Sequence, residues 1–87
     1  MKIVISKHVI QEKIPVLKSF GWIISRKKIE ATIIKPGWRG VTNKGQPTAI
    51  SLINRKHILL VVYKLEDDII KVITVYVTRR GSYGSTL

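Results

Sequence analysis

The sequence predicts one small α+β domain, in which two N-terminal helices pack on one face of a curved antiparallel sheet of three to four strands. Three observations support this. Apolar residues before Lys35 recur at helical spacing, those after Trp38 form runs and alternations typical of strands, and 87 residues suffice for one hydrophobic core but not for two. We expect residues 1–80 to form the domain and residues 81–87 to be a flexible C-terminal tail.

The N-terminal segment predicts a short strand followed by a helix. Lys2–Ile5 is the strand candidate, and Ser6 is a suitable N-cap for a helix that starts at Lys7. Pro15 lacks an N–H group and is expected to kink or split this helix, and Gly21 is expected to end it. The apolar stripe that faces the core consists of Ile10, Ile14 and Leu17.

A second helix is predicted from Ser25, its N-cap, to the segment before Pro36. Its buried face consists of Ile29, Ile33 and Ile34. Arg26, Lys27 and Lys28 occupy the first turn, where the helix macrodipole is already positive, so we expect solvent or a nearby anion to compensate them.

The second half of the chain predicts strands. They are Trp38 to Thr42, Gln46 to Ile53, His57 to Leu65 and Ile69 to Arg79. If Asp67 and Asp68 form a two-residue turn, Leu65 pairs with Ile70. A strict alternation then assigns one face to the core, formed by Ile58, Leu60, Val62, Ile73, Val75 and Val77. The opposite face carries His57, Leu59, Val61, Tyr63, Val72, Thr74, Tyr76, Thr78 and Arg80.

The charge balance points to a polyanionic partner. The chain has 16 Lys and Arg residues against 5 Asp and Glu, a formal net charge of +11. The lysine-rich surface of a heat-adapted protein usually brings matching Glu, which this sequence does not have. Nucleic acid, an anionic membrane and an acidic protein are the candidates, and the basic composition favours nucleic acid.

Several kinds of site are disfavoured by composition. The absence of Cys excludes disulfides, thiolate zinc sites and a cysteine nucleophile. His8 and His57 lie in different elements with no carboxylate at ligand spacing, so we expect no metal and no cofactor. The apolar run at the N-terminus is too short for a signal peptide or a membrane span, and we therefore expect a cytoplasmic protein with no membrane partner.

Metal-free handling of RNA is the chemistry that these residues allow. Strand cleavage through the 2′-hydroxyl needs a base, an acid and cations near phosphorus, and His, Tyr, Lys and Arg supply all three. The candidate catalytic residues are His8, His57, Tyr76 and Arg80. The candidate nucleic-acid-binding residues are Arg26, Lys27, Lys28, Arg55, Lys56, Arg79, Arg80 and Tyr83.

Four segments carry a family resemblance: Ile5–Val9 before the first helix, Ile24–Pro36, Ile58–Tyr63 and Ile70–Tyr76. Over about residues 3 to 80 the chain resembles the RelE/ParE toxin superfamily, most closely a small domain-of-unknown-function branch grouped near the BrnT toxins. The resemblance implies helices against a curved antiparallel sheet and, as in RelE-like members, mRNA cleavage without metal by basic residues and a tyrosine. It matches the family's start-of-helix histidine to His8, its strand-ending aromatic to Tyr76, and its basic positions to Arg79 and Arg80.

The leading hypothesis is a toxin-like basic RNA-binding protein that acts on mRNA or the ribosome, with an acidic antitoxin protein as its partner. Whether it is also a metal-independent endoribonuclease is open. The alternatives are a non-catalytic DNA- or RNA-binding module and a protein-targeting, ParE-like toxin. A homodimer through an unpaired sheet edge is also open.

Overall fold

The chain folds as an α+β structure in which helices cover one face of a five-stranded sheet. The computed structural model describes residues 2–83, and side chains for residues 2–81. Its strands are β1 (Lys2–Ile5), β2 (Trp38–Val41), β3 (Pro47–Leu52), β4 (His57–Glu66) and β5 (Ile69–Arg79). Its helices are α1 (Ile14–Ser19), which continues a π-helical segment (Val9–Lys13), α2 (Arg26–Ile34) and the short α3 (Arg80–Tyr83).

The sheet is mixed, with the strand order β1-β5-β4-β3-β2. Strands β2 to β5 pair antiparallel in sequence order, whereas β1 pairs parallel to β5. The predicted α+β class is confirmed, but the prediction of a purely antiparallel sheet of three to four strands is wrong. Strand β1 lies near the start of the chain and its partner β5 near the end, and no local sequence pattern predicts a pairing between such distant segments.

The predicted helix boundaries are confirmed by their capping contacts. Ser6 Oγ accepts the backbone N–H of Val9 at 3.3 Å, and Ser25 Oγ accepts that of Lys28 at 3.1 Å. Gly21, with φ +90°, ends α1, because only a residue tolerant of that region lets the N–H of Trp22 turn back to the Leu17 carbonyl. Within residues 2–83, no helix is long and apolar enough to span a membrane.

The main core lies between the helices and one sheet face, which we call the helix-covered face. It is built from Ile5, Val9, Ile24, Ile29, Ile33, Ala49, Leu59, Val61, Tyr63, Ile70, Val72 and Val75. A smaller cluster of Ile50, Ile58 and Leu60, with Trp38 against it, lies on the other side of the sheet, which we call the second face. Both faces of β4 are therefore apolar, which explains why this strand reads as a near-continuous hydrophobic run.

The hairpin of β4 and β5 begins in the predicted register. Leu65 pairs with Ile70 around the turn, where Asp67 has φ 54°. The register then shifts: Tyr63 pairs with Val72 but Val62 pairs with Thr74. Ile73 is thus an extra residue, a β-bulge in β5.

The bulge makes the predicted faces wrong for β4, whereas the assignment of Val75 and Val77 to the core face is confirmed. Because side chains alternate along a strand, one extra residue moves every later side chain of β5 to the other face. Leu59 and Val61 lie on the helix-covered face opposite Val77 and Val75. The residues Ile58, Leu60 and Val62, which were assigned to the core face, lie instead on the second face with Thr78, Tyr76 and Thr74.

Candidate nucleic-acid interface

Three segments bring their basic residues to one end of the molecule. The turn between β3 and β4 meets the end of β5, because His57 pairs with Arg79 and the N–H of Arg80 donates to the Lys56 carbonyl at 2.7 Å. The first turn of α2 joins them, since Lys28 Nζ donates to the Leu52 carbonyl at 3.1 Å. We call this surface the cationic end and define it by Arg26, Lys27, Lys28, Arg55, Lys56, Arg79 and Arg80.

The acidic residues do little to compensate this charge. Glu30, in α2, is 3.7 Å from Arg26. Glu66, Asp67 and Asp68 lie at the far end of β4, whose 10 residues span roughly 30 Å at the rise of an extended strand. Glu66 is moreover held by hydrogen bonds from Lys64 at 2.8 Å and Lys71 at 2.9 Å, which lower its pKa to about 2. The two charged ends of the sheet are therefore well separated.

His57 is fixed on the helix-covered side of this end. Its ring lies 4.6 Å from that of Trp22, and its Nδ1 is 3.1 Å from Asn54 Oδ1. That oxygen also accepts the backbone N–H groups of Lys56 and His57, so it is an acceptor and the His57 Nδ1 must carry the proton. When the ring is neutral, Nε2 is the nitrogen that can accept one.

The second face carries an aromatic residue on each of its outer antiparallel strands. Trp38 on β2 and Tyr76 on β5 are the two ends of one row of cross-strand partners, whose middle members are Ile50 and Leu60. Three strand spacings, about 14 Å, separate Trp38 from Tyr76. Each ring has a cation nearby: the Arg80 guanidinium carbon is 5.4 Å from the Trp38 ring centre, and Lys13 Nζ is 4.5 Å from that of Tyr76. Rings and cations together are what proteins use to stack bases and neutralise phosphates.

A groove of about 440 Å³ runs along this face between the β2–β3 turn and β5. It is lined by Val41, Thr42, Asn43, Leu60, Val62, Tyr76, Val77 and Thr78. An adjoining hollow of about 250 Å³ adds Lys44, Gln46 and Thr74. Thr48, on the same face opposite Val62, is only 1% exposed, and its hydroxyl has no hydrogen-bond partner among the described residues. The groove thus has an apolar floor and a polar rim.

The structure does not assemble the four predicted catalytic residues into one cluster. The prediction that His57 and Tyr76 share a face is wrong, because the bulge at Ile73 separates them. His8 lies near that bulge, because Ser6, two residues earlier, donates its hydroxyl to the Ile73 carbonyl. The Nδ1 of His8 is paired with Glu12. Six extended residues, about 20 Å, separate this level of β5 from Arg79.

Other predicted residues do come together. The cationic end contains all seven predicted basic residues: Arg26, Lys27, Lys28, Arg55, Lys56, Arg79 and Arg80. Tyr76 and Thr78 lie on the second face, and Arg80 lies against Trp38 of the same face. The side chain of Tyr83 lies outside the described residues, as do residues 84–87 of the expected tail, whereas 81–83 belong to α3.

Sequence reasoning missed the contributions of Lys13, Thr42 and Asn43. Lys13 precedes α1, yet its side chain reaches the Tyr76 ring past the edge of β5. Thr42 was predicted to end one strand and Asn43 to begin the loop before the next, but neither position indicated that this hairpin lines a groove. Comparisons with protein-family models, with curated proteins and with solved structures returned no significant match to this chain.

Proposed function

We propose that this protein is a toxin-like RNA-binding protein of the RelE/ParE kind, which holds single-stranded RNA across its cationic end and second face. The observation that carries the proposal is the position of the cationic end next to a sheet face that carries Trp38 and Tyr76, each with a cation near its ring. Phosphates would lie against the basic side chains and unpaired bases against the rings. The proposal draws support from the helices on one sheet face, a feature that the resemblance also implies, although the sheet is mixed rather than purely antiparallel.

Single-stranded RNA suits this surface better than a duplex. Stacking on Trp38 or Tyr76 requires bases whose faces are free, and the apolar floor of the groove offers nothing to a continuous phosphate backbone.

The test is the affinity of a 5′-fluorescein 12-nucleotide RNA, measured by anisotropy. The triple variant Arg55→Gln/Lys56→Gln/Arg79→Gln removes three charges from the cationic end and is expected to weaken binding by about 100-fold, since phosphate contacts dominate the affinity. The matched control Lys2→Gln/Lys7→Gln/Lys35→Gln removes three exposed charges elsewhere and is expected to weaken it by less than about fivefold. Equal loss in both variants would contradict an RNA site at the cationic end.

Metal-independent RNA cleavage is the second candidate. Tyr76 and Thr78 lie on the second face, and Lys13 lies beside the Tyr76 ring. Arg80 lies against Trp38 on the same face. In such a reaction the 2′-oxygen attacks phosphorus and gives its proton to a base, while the departing 5′-oxygen receives a proton and a 2′,3′-cyclic phosphate remains. Lys13 and Tyr76 are the candidate proton carriers at the reacting phosphate. Arg80, whose guanidinium lies against Trp38 at the other end of the cross-strand row, is the candidate cation for a neighbouring phosphate of the same strand.

Partners follow from the same surface. An acidic antitoxin protein would cover the cationic end and compete with RNA. If the protein instead bound neither RNA nor DNA tightly and captured a protein target, the ParE-like alternative would replace this proposal. The outer strands β1 and β2 leave edges at which a homodimer could pair.

A further inference from the structure

A second cavity lies on the helix-covered face, on the opposite side of the sheet from the groove. It measures about 360 Å³ and is lined by Ile3, Ile33, Ile34, Arg39, Tyr63, Leu65 and Ile70. It exists because α2 is too short for the sheet: its 9 residues extend about 14 Å, whereas the 10 residues of β4 extend roughly 30 Å. The end of the β4–β5 hairpin therefore continues past the last turn of α2.

The cavity opens onto exposed apolar side chains. Ile34, in the last turn of α2, is 70% exposed, and Leu65, near the end of β4, is 59% exposed. Its deeper walls are Ile33, Tyr63 and Ile70, each less than 9% exposed. An apolar hollow of this kind with few polar groups is the usual form of a small-molecule site.

Arg39 supplies the one charge that lines this cavity. One of its guanidinium nitrogens donates to the Tyr63 hydroxyl at 3.1 Å, which holds the group beside the apolar walls. No carboxylate lies within ion-pair distance of Arg39 among the described residues. A guanidinium has five N–H donors, so the edge that faces away from Tyr63 keeps donors for a bidentate carboxylate.

We propose that this cavity binds a medium-chain aliphatic carboxylate, with the carboxylate on Arg39 and the alkyl chain against Ile33, Leu65 and Ile70. At about 360 Å³ the cavity is within the size range of small-molecule sites and has room for the alkyl chain of a medium-chain acid. RNA does not suit the cavity, because a phosphate backbone gains nothing from its aliphatic walls. The site is separate from the proposed RNA interface: the cationic end lies at the opposite end of β4, and Trp38 and Tyr76 lie on the second face.

The test uses sodium octanoate, below its micelle concentration, titrated into the ¹⁵N-labelled full chain and followed by amide chemical shifts. We expect saturable shifts confined to residues around the cavity, with a Kd of about 1 mM for a ligand of this size. Arg39→Gln is expected to weaken binding at least tenfold, whereas Lys35→Gln, the same charge change at a neighbouring exposed lysine, leaves it within twofold. The neutral analogue 1-octanol is expected to bind at least tenfold more weakly than octanoate.

Tyr63→Phe provides a second variant that keeps the guanidinium and removes only the hydroxyl that orients it, and we expect it to weaken octanoate binding about threefold. RNA affinity should be unchanged in all three variants, so this test and that of the RNA interface can fail separately. Octanol binding equal to that of octanoate, shifts centred on the cationic end, or no effect of Arg39→Gln would each overturn the proposal. So would tighter binding of acetyl-Leu-Leu than of octanoate, which would assign the cavity to a peptide C-terminus.

Discussion

At the scale of single residues, one inserted side chain decides which groups can act together. Ile73 adds a residue to β5, so Tyr76 lies on the second face while His57 stays on the helix-covered side against Trp22. A mechanism in which these two exchange protons with one phosphodiester is therefore not supported by the geometry. Tyr76 and Lys13 form the pair that the cleavage candidate needs.

If the protein is a ribonuclease, we expect it to cut single-stranded RNA in EDTA and to leave 2′,3′-cyclic phosphate ends. Tyr76→Phe should lower the cleavage rate by about 100-fold or more, as expected for the loss of a proton-transfer group. His57→Gln should keep the rate within about threefold, because its ring lies on the other side of the sheet. Gel analysis of end-labelled RNA measures both, and a larger loss in the His57 variant would reverse this assignment. RNA left intact by the wild type would remove the enzyme candidate and leave RNA binding untouched.

At the scale of elements, the β4–β5 hairpin is the longest pairing in the sheet and carries its own charge cluster. Hydrogen bonds from Lys64 and then Lys71 lower the pKa of Glu66 to about 2, from an ordinary value of 4.5. A carboxylate whose pKa is lower in the folded state adds stability above its unfolded pKa. That contribution is lost as the pH falls from about 4.5 to about 2.

We therefore expect Glu66→Gln to be less stable than the wild type at pH 7 by a small amount, because the triad is exposed to solvent. The difference should shrink as the pH falls from 4.5 and vanish near pH 2. Urea unfolding at a series of pH values measures it, with Asp68→Asn as the control on the same turn. A difference that stayed constant down to pH 2 would show that Glu66 acts through something other than its charge.

The sequence predicted the local elements well because each depends on neighbouring residues. The serine caps, the Gly21 stop and the turn at Asp67 all follow from backbone chemistry that a few residues determine. The bulge at Ile73 was not predictable in this way, since both faces of β4 are apolar and the hydrophobic pattern fits either register. The cationic end was predicted as a set of residues, but its assembly depends on the tertiary contact between Arg80 and Lys56.

At the scale of the whole molecule, basic and acidic residues are concentrated at opposite ends of the sheet. The cationic end lies at one end of β4, and Glu66, Asp67 and Asp68 lie at the other. If the proposed RNA binding is correct, this separation of charge orients an approaching RNA before contact and makes its affinity strongly dependent on salt.

We expect a plot of log Kobs against log salt concentration for the 12-nucleotide RNA to be linear. Each phosphate contact on a single strand contributes about −0.7 to the slope, so Arg55→Gln/Lys56→Gln/Arg79→Gln should make it shallower by about 2. The control Lys2→Gln/Lys7→Gln/Lys35→Gln should keep nearly the wild-type slope. Anisotropy titrations at four salt concentrations give both values, and identical slopes for the two variants would mean that attraction is spread over the entire surface.

The parallel pairing of β1 with β5 also constrains how the chain acquires its structure. Residues 2–5 are synthesised before the other elements of this fold, yet their partners are residues 69–72. The Ser6 hydroxyl likewise donates to the carbonyl of Ile73, which lies 67 residues further along the chain. During synthesis, residues 2–5 therefore remain without their strand partner until β5 has emerged from the ribosome, and of the four ladders this one closes the longest loop and carries the greatest loop-closure entropy.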